Sequence, residues 1–482
     1  MAASVKSNSN TFYLKMLLVV VFMLGFGLLP PIGGITPYGM KVLGIFIGCI
    51  IGWGFGQQVI TSIMAIILLG FTEGANIMQV FVGAFGNYSL LMVLFALLFC
   101  YGIEQTGIMQ FVANFILSRK FATKGPWMIS LAFWISCCLC SALITNCLPV
   151  IILMWSMFYE VVEKMQVPKT DKWVQITMIM MCVVGYTGSV IMPYAGWPLT
   201  CYSIAQSAVE GLKINLFAHT VTVFVVNVVI LAVIFAVSRF LLGRNVKQQK
   251  IDNIVNSDDL KISKEQTIGF IVLALLAVMM FLPNVLPATN KIIAALANLG
   301  AVGCFAILTV VLAVVQVNGK PLMDPMAALK NLPWGLYFLL SAALYLASLL
   351  TSPTTGISAT ILEALNGMIG SLGPVGIMII FVGFGCLVTN AINNVVCINI
   401  FIPIGAMMLS DLGGDVNILT ALLAVVLYLG LILPSGSVVG ALMHGNSEWL
   451  QTKSIYQYAF LGCLIVVVVC LLVGIPIGML LF

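Results

Sequence analysis

The sequence has very few charged residues. Only 20 Lys or Arg and 15 Asp or Glu residues occur among 482, or 7%, whereas a soluble domain carries roughly a quarter. Apolar types make up 62% and the mean hydropathy is +1.16, so the chain lacks the polar surface that keeps a soluble globule dispersed. This composition excludes a cytosolic enzyme, a nucleic-acid-binding protein and a disordered chain. Long unbroken apolar runs such as 16–30 and 463–482 also exclude an outer-membrane barrel, so we predict an all-α polytopic membrane protein.

The sequence also lacks the usual clusters of catalytic residues. The thirteen cysteines lie inside apolar runs, and Cys137, Cys138 and Cys140 have no His or carboxylate nearby in the sequence to complete a zinc site. No Ser–His or Asp–Asp pair is placed for intramembrane hydrolysis, and no Walker-type Gly-Lys-Ser/Thr stretch occurs. We therefore predict that the protein is neither an enzyme nor an ATP-driven pump. Because the first apolar run is long enough to span, we expect no cleavable signal peptide.

The apolar runs predict about eleven transmembrane helices, since about twenty apolar residues are needed to cross a bilayer. The predicted spans are 14–32, 37–55, 57–72, 86–103, 173–210, 216–240, 266–286, 291–316, 333–352, 416–450 and 455–481. Two of them, 173–210 and 416–450, are expected to be broken. Glu73 and Glu104 lie at span ends and are interpreted as interfacial residues.

Two further stretches, 126–165 and 373–410, each have two apolar arms of roughly 17 residues around a small polar cluster. We interpret both as re-entrant hairpins. The first has basic residues on both flanks, which predicts that both of its ends are cytoplasmic. The second has only acidic residues near its ends and is expected to open outside. This threading places the N-terminus in the cytoplasm, together with the polar stretch 243–265, which we interpret as a linker.

The two halves of the chain repeat each other at an offset of about 248 residues. Because the linker brings the second half in from the cytoplasm, we predict that the two repeats are inverted in the membrane. Inverted repeats with interrupted helices are typical of secondary transporters. Three pairs of motifs match in the same order: Ser141-x-x-x-Thr145-Asn146 with Thr389-x-x-x-Asn393-Asn394, Thr106-Gly107-Ile108 with Thr355-Gly356-Ile357, and 192–198 with 433–439.

Four helix breaks are therefore predicted at bilayer depth, around Asn146, around Asn394, at 192–198 and at 433–440. Unwound backbone survives there only when it is buried in protein or lines a wet cavity. Carbonyl, hydroxyl and amide oxygens can surround a small hard cation, and helix N-termini can hold an anion. No ionisable residue lies in these elements apart from His444, which favours Na⁺ coupling or anion exchange over proton coupling. The candidate ligands at the hairpin tips are Ser141, Thr145, Asn146, Thr389, Asn393 and Asn394.

At these residues the chain resembles the divalent anion–sodium symporter family, which includes carboxylate and sulfate carriers. That family carries Ser-x-x-x-Ser-Asn-Thr at each hairpin tip and Gly/Ala-Thr-Pro-Pro-Asn turns in its two broken helices, and the resemblance covers essentially the whole chain. It implies one Na⁺ near each tip. The first Na⁺ site would be formed by Ser141, Thr145, Asn146 and Ala195. The second would be formed by Thr389, Asn393, Asn394 and Gly436.

The resemblance also implies a substrate anion between the two tips and the two turns. Cys147 and Val395 stand here where the family has Thr at its tips, and both turns are altered. A monovalent or less polar anion is therefore an alternative to the di- or tricarboxylate of the family. The implied substrate contacts are Asn146, Cys147, Trp197, Pro198, Asn394, Val395, Ser437 and Val438.

The resemblance further implies two kinds of domain in a homodimer. Residues 1–125 and 266–352, which contain spans 1–4 and 7–9, are expected to form a scaffold and the dimer interface. Residues 126–242 and 353–482, which contain the hairpins with spans 5–6 and 10–11, are expected to form a moving transport domain. The linker 243–265 joins the two halves.

We therefore expect a secondary active transporter of organic anions, of the di- or tricarboxylate type, in the cell (inner or plasma) membrane. It would be coupled to Na⁺ and would work by elevator-type alternating access. A Na⁺-independent anion exchanger is the alternative within transport. An ion channel is the alternative from another class, but no repeated selectivity filter or charged ring occurs in the sequence.

Overall fold

The computed structural model describes residues 9–55, 57–74, 76–143, 147–242, 261–285, 291–360, 363 and 372–482. The helices of the first half are α1 (Ser9–Gly25), α2 (Pro37–Gly54), α3 (Gln58–Gly70), α4 (Ile77–Phe85), α5 (Tyr88–Gln105), α6 (Ile108–Leu117), α7 (Pro126–Leu143), α8 (Cys147–Lys164), α9 (Lys172–Gly188), α10 (Gly196–Ala208) and α11 (Leu216–Ala236). Those of the second half are α12 (Lys264–Val285), α13 (Lys291–Val314), α14 (Pro325–Asn331), α15 (Trp334–Thr351), α16 (Gly373–Ala391), α17 (Asn394–Asp411), α18 (Val416–Val426), α19 (Val438–Gly445), α20 (Thr452–Val469) and α21 (Ile475–Leu481).

The remaining regular elements are short. A 3₁₀ turn, Phe26–Leu28, extends α1, and π-helical turns at Val237–Leu242 and Cys470–Gly474 follow α11 and α20. The one strand pair in the described ranges is antiparallel and joins β1 (Gln316–Val317) to β2 (Lys320–Pro321). The architecture is therefore all-α, as predicted.

Many helices are long and apolar enough to cross a membrane. Nine stretches of the described chain meet this condition by length and composition. Several carry apolar side chains on the outside of the protein, as on α1, where Leu14, Leu17 and Val21 are more than half exposed. Such a surface suits lipid rather than water. The prediction of a polytopic membrane protein is confirmed.

Each of the two predicted hairpins has two helical arms. In the first hairpin, α7 and α8, the arms have 18 residues each; in the second, α16 and α17, they have 19 and 18. Helices of this length reach about 27 Å, close to the thickness of a bilayer core. Their re-entrant course therefore stays a prediction.

The two spans predicted to be broken are interrupted. In the first break, residues 189–195, the chain leaves helix after Gly188 and passes Pro193 before α10 begins at Gly196. In the second break, residues 427–437, it passes Gly430, Pro434 and Gly436 before α19 begins. Proline lacks a backbone donor and glycine weakens a helix, so both sequences favour unwinding.

The repeat is visible in the backbone as well as in the sequence. Gly107 and Gly356 hold the same place in the two halves and both have left-handed dihedral angles, with φ of +71° and +68°. Side chains other than glycine rarely adopt this conformation. The matched Thr-Gly-Ile motifs therefore form the same turn ahead of a helix.

Other features differ from the expected spans. The span predicted at 291–316 is kinked within α13, because Gly300 has φ of +62° and ψ of −177°. The short α4 was not predicted, although Asn76 and Gln79 form a capping box at its start. The predicted linker lies outside the described residues except for 261–265, of which Lys264 and Glu265 already belong to α12.

The helices pack in two neighbouring sets. In one, α3 packs on α2 and α15, and α5 packs on α13; in the other, α9 packs on α7, α8 and α20, and α17 packs on α16 and α18. The short α10 touches both sets, since it packs on α5 and α15 as well as on α17 and α18. The region around α10 is therefore where residues from both halves and both sets meet.

Candidate functional site

The tip of the second hairpin is fixed to the second break. Asn393 caps α17, with its Oδ1 accepting a hydrogen bond from the Val395 amide at 2.9 Å. The next amide, that of Asn394, donates to the Gly436 carbonyl at 3.0 Å. These bonds occupy the first amides of α17, so this helix N-terminus does not offer free donors to an anion. The asparagine pair instead sets the position of the hairpin tip against the break.

A neighbouring asparagine holds the unwound backbone of the second break. Asn390 Oδ1 accepts from the amides of Leu431 and Ile432 at 3.0 and 2.9 Å, and its Nδ2 donates to the Cys386 carbonyl at 2.8 Å. A buried amide without a partner costs about 1–3 kcal/mol, so this side chain stabilises the break. Asn390 lies one position off the repeat register, and the sequence favours a packing role for it.

Backbone oxygens cluster beside the same break. A Cβ on Gly430 would lie 2.6 Å from the Gly436 oxygen and 3.1 Å from the Thr389 oxygen, so both carbonyls face the same small space. A Cβ on Gly440 would lie 2.7 Å from the Leu433 oxygen and 2.9 Å from that of Gly430. These are neutral oxygens, and unwound carbonyls of this kind can coordinate Na⁺.

Two hydroxyls complete the surroundings of this cluster. Thr389 Oγ1 donates to the Leu427 carbonyl at 2.6 Å, and Ser437 Oγ donates to that of Gly430 at 2.6 Å. Ser437 Oγ also caps α19 by accepting from the Gly440 amide at 3.0 Å. Thr389, Asn394 and Gly436, predicted for the second Na⁺ site, therefore lie around one point.

The predicted first Na⁺ site is described only in part. Thr145 and Asn146 lie outside the described residues. Ser141 is buried, and its hydroxyl has no hydrogen-bond partner in the described part of the chain. Ala195, at the end of the first break, is also buried and precedes α10 directly. The close approach of Gly188 to Cys138, where a Cβ would lie 2.5 Å from the carbonyl oxygen, places this break against the first hairpin.

Side chains of α11 hold the first break. His219 Nε2 donates to the Val190 carbonyl at 2.9 Å, and Asn227 Nδ2 donates to that of Thr187 at 3.0 Å. Since a carbonyl only accepts, Nε2 of His219 carries the proton, and Nδ1 accepts from the Tyr202 hydroxyl at 2.9 Å. The histidine is buried and serves as a backbone support.

The start of α8, the tip of the second hairpin, the helix ends that flank the first break and part of the second break line one cavity of about 400 Å³. This volume suits a small organic molecule. Opposite the tips and breaks, its wall is formed by α3, α5, α14 and the start of α15. The lining residues are Gln58, Leu97, Tyr101, Glu104, Cys147, Leu148, Tyr186, Gly196, Trp197, Thr200, Ala328, Asn331, Leu332, Pro333, Leu336, Asn393, Asn394, Val395, Tyr428, Val438 and Val439.

Three aromatic rings form one wall of the cavity. The rings of Trp197 and Tyr428 stack with centroids 4.3 Å apart and an interplanar angle of 11°, and Tyr186 follows at 4.2 Å from Tyr428. Trp197 is fixed by its indole N–H, which donates to the Ala424 carbonyl at 2.9 Å. Cys147 Sγ lies 3.9 Å from the Tyr428 hydroxyl. We call this set of three rings the aromatic wall.

The two tyrosines of the aromatic wall were missed by the sequence analysis. They belong to a repeated Tyr-x-Gly motif: Tyr186-Thr187-Gly188 directly precedes the first break, and Tyr428-Leu429-Gly430 lies at the start of the second. In each copy the glycine packs against the backbone of a hairpin arm. This repeated motif is the feature of the sequence from which the two tyrosines could have been identified.

Most of the predicted substrate contacts line the cavity. Five of the eight predicted substrate contacts line the cavity, whereas Pro198 and Ser437 are not part of its wall and Asn146 is outside the described residues. Glu104, interpreted as an interfacial residue, lies in the last turn of α5 and is also among the residues that line the cavity. The five lining contacts are Cys147, Trp197, Asn394, Val395 and Val438.

Interrupted helices and hairpin tips that meet at a shared cavity define the chain as a membrane transporter. The model of a family described as citrate transporter matches residues 13–430, so the chain belongs to the citrate transporter family. This membership supports a secondary transporter of anions and agrees with the resemblance found in the sequence.

A solved structure supports the same fold. The chain is similar to the YdaH transporter of Alcanivorax borkumensis, whose crystal structure is described as revealing an unusual topology. The TM-score is 0.57 and the identity 14%, over 90% of this chain and 97% of the other. At this identity the likeness shows the fold alone. A comparison with curated proteins finds no match.

Proposed function

We propose that the chain is a Na⁺-coupled carrier of small organic carboxylates that works by elevator-type alternating access. The observation that carries this proposal is the one cavity lined by the start of α8, the second hairpin tip and residues that flank or form the two breaks, with a cluster of neutral oxygens beside the second break. A carrier of this kind binds a cation and an anion close together, so that each offsets the charge of the other.

Neutral oxygens support the choice of cation. Within the described ranges, no group of three or more His, Cys, Asp or Glu side chains could hold a metal ion. The second Na⁺ site would use Thr389, Asn394 and Gly436, with Asn393 as the cap that sets the tip. The first would use Ser141 and Ala195 together with Thr145 and Asn146. The unpartnered hydroxyl of Ser141 supports this assignment, since a buried hydroxyl without a partner is costly.

Backbone amides at two other helix starts support an anion site. The first amides of a helix have no intrahelical acceptor. Gly196 and Trp197 begin α10, Val438 begins α19, and all three line the cavity. Their amides, with the side chain of Asn394, would hold a carboxylate. The helix dipoles of α10 and α19 add a favourable field for negative charge.

The position of the cavity supports an elevator movement. It lies between the hairpins with their breaks on one side and α3, α5, α14 and α15 on the other. Residues 126–242 and 353–482 would move as the transport domain against a scaffold formed by 1–125 and 266–352. The scaffold would also form the homodimer, in a cell membrane with the N-terminus in the cytoplasm.

The test is thermal unfolding of the purified protein with citrate, succinate or 3-phenylpropionate, each in Na⁺ and in K⁺. A ligand at about 100 times its Kd stabilises the folded state by about 2.7 kcal/mol. We expect at least one anion to raise the melting temperature in Na⁺ and not in K⁺. Equal stabilisation in both salts would contradict Na⁺ coupling and favour an anion exchanger.

Two asparagines of the same helix provide a matched pair of variants. Asn394→Ala should abolish the Na⁺-dependent stabilisation, because it removes an amide at the tip. Asn399→Ala should retain it, since the Asn399 side chain donates to its own helix at the Val395 carbonyl and does not line the cavity. An Asn394→Ala protein with unchanged Na⁺ dependence would show that this side chain only packs.

A further inference from the structure

Among the described residues, the cavity offers no cationic side chain to an anion. None of its lining residues is Lys, Arg or His, and the one carboxylate among them is Glu104, near the end of α5. The ion pairs among the described residues are Lys41–Glu73 and Lys169–Glu448, so Glu104 has no cationic partner there. A negative charge therefore faces the space in which the substrate is expected.

The balance of charge in the cavity limits the number of carboxylates that the substrate can carry. Two Na⁺ ions would offset one substrate carboxylate together with the carboxylate of Glu104. Each further carboxylate would leave an uncompensated negative charge in a half-buried cavity, which is costly. Like charges placed close together raise that cost.

The aromatic wall favours a flat apolar body. Trp197 and Tyr428 are nearly parallel at 4.3 Å, and the indole N–H of Trp197 is bonded to the protein, so the rings are held in place. Aromatic rings attract other rings by stacking. Trp197 is also one of the first residues of α10, so its ring and its backbone amide can contact the two parts of one substrate.

We infer that the cavity takes a substrate with a single carboxylate on a flat apolar body, and that Glu104 excludes a second carboxylate. This inference rests on the proposed function, because it names the substrate class of the same cavity. It separates this chain from a carrier of citrate, which has three carboxylates.

The experiment measures Na⁺-dependent binding of four anions to the purified full-length protein, as dissociation constants from thermal stabilisation. The probes are 3-phenylpropionate, phenylsuccinate, butyrate and citrate. The first two share a ring and differ by one carboxylate, and butyrate has one carboxylate without a ring. We expect 3-phenylpropionate to bind about tenfold more tightly than each of the others.

Four variants, including a control, assign the preference to residues. Glu104→Gln should raise the affinity for phenylsuccinate relative to 3-phenylpropionate by about tenfold. Glu73→Gln, which changes a carboxylate outside the cavity, should leave that ratio as in the native protein. Trp197→Leu should lower the preference for 3-phenylpropionate over butyrate, and Trp197→Phe should keep most of it.

The outcomes that overturn the inference are distinct from failure of the proposed function. Tighter binding of citrate or phenylsuccinate in the native protein, with Na⁺ dependence, overturns the inference and keeps the proposed function. An unchanged ratio in Glu104→Gln overturns the role of Glu104. If no anion binds better in Na⁺ than in K⁺, both the inference and the Na⁺ coupling fail.

Discussion

The first and second breaks share their site-forming residues but differ in what supports them. Each has a Tyr-x-Gly motif directly before it or at its start, whose tyrosine joins the aromatic wall and whose glycine packs on a hairpin arm. The first break is held from outside, by His219 and Asn227 of α11. The second is held by Asn390 of its own hairpin and by His444, whose Nε2 lies 3.0 Å from the Ile432 carbonyl. The features that the halves share therefore form the site, whereas the supports are particular to each half.

The chemistry of the two breaks also differs. The first contributes the ring of Trp197 and the free amides at the start of α10 to the cavity. The second brings carbonyl oxygens together around Gly430. We therefore expect the first break to contact mainly the anion and the second break to contact mainly a cation.

The largest effect is expected from the two glycines of the Tyr-x-Gly motifs. Gly430→Ala and Gly188→Ala each place a Cβ within 2.6 Å of a backbone oxygen, that of Gly436 within the second break or that of Cys138 in the first hairpin, so the backbone at each break must shift. The cost should reach the upper part of the range for overpacking, about 1–3 kcal/mol, and Na⁺-dependent stabilisation should be lost. Thermal unfolding in Na⁺ and K⁺ measures both effects.

A glycine in the hairpin arm that Gly430 approaches is the control for this prediction. Gly383 in α16 has no atom within 4 Å of the position of a Cβ. Gly383→Ala should therefore unfold at the same or a higher temperature than the native protein and keep its response to Na⁺. A similar loss in Gly383→Ala and Gly430→Ala would show that the close approach at Gly430 is unimportant.

A smaller effect is expected from the asparagine supports. Asn390→Ala leaves two backbone amides of the second break unpaired, whereas Asn227→Ala leaves the Thr187 carbonyl, in the last turn of α9, with the Val190 amide as its donor. We expect Asn390→Ala to cost about 1–2 kcal/mol and to weaken the response to Na⁺. Asn227→Ala should cost less and should weaken anion binding rather than Na⁺ dependence. The reverse pattern would contradict the division between the breaks.

The smallest effect is expected from an ion pair between the halves. Lys169 and Glu448 are partly exposed, so Glu448→Gln should change stability by less than about 1 kcal/mol. The nearby Gln175 is buried and donates to the Trp449 carbonyl at 2.6 Å while accepting from the Gln451 amide at 2.9 Å. Gln175→Ala should therefore lower the melting temperature more than Glu448→Gln. Equal shifts would indicate that the buried bonds add nothing.

Much of the fold could be predicted because it depends on local pattern. The length of the apolar runs predicted the helices. The breaks were predicted from Pro193, Gly430, Pro434 and Gly436. The kink of α13 could not be predicted, since an isolated glycine such as Gly300 is tolerated in many straight helices.

The candidate site was predicted less completely than the fold. The polar residues at the second tip were found because they repeat beside a helix break, and the structure brings Thr389 and Asn394 to the Gly436 turn. The bonds of Asn390 to Leu431 and Ile432 could not be predicted, because they span about forty residues of sequence. The place of Glu104 in the cavity wall could not be predicted either, because its position at the end of α5 does not reveal that the cavity reaches that level.

The most direct test of the central claim, that the two halves enclose one site for anion and Na⁺, is thiol labelling at the cavity wall. Val438 lines the cavity and is 66% exposed, whereas Leu433, at 36%, belongs to the same break outside the cavity wall. All thirteen native cysteines are buried, so Val438→Cys and Leu433→Cys should each label above a low background. The added ligand is citrate or 3-phenylpropionate, whichever stabilises the protein more.

We predict that the anion slows labelling of Val438→Cys about tenfold in Na⁺, has no effect on it in K⁺, and leaves Leu433→Cys unchanged in both salts. Labelling of Val438→Cys at the same rate with and without the anion in Na⁺ would contradict the claim and would place the substrate outside this cavity.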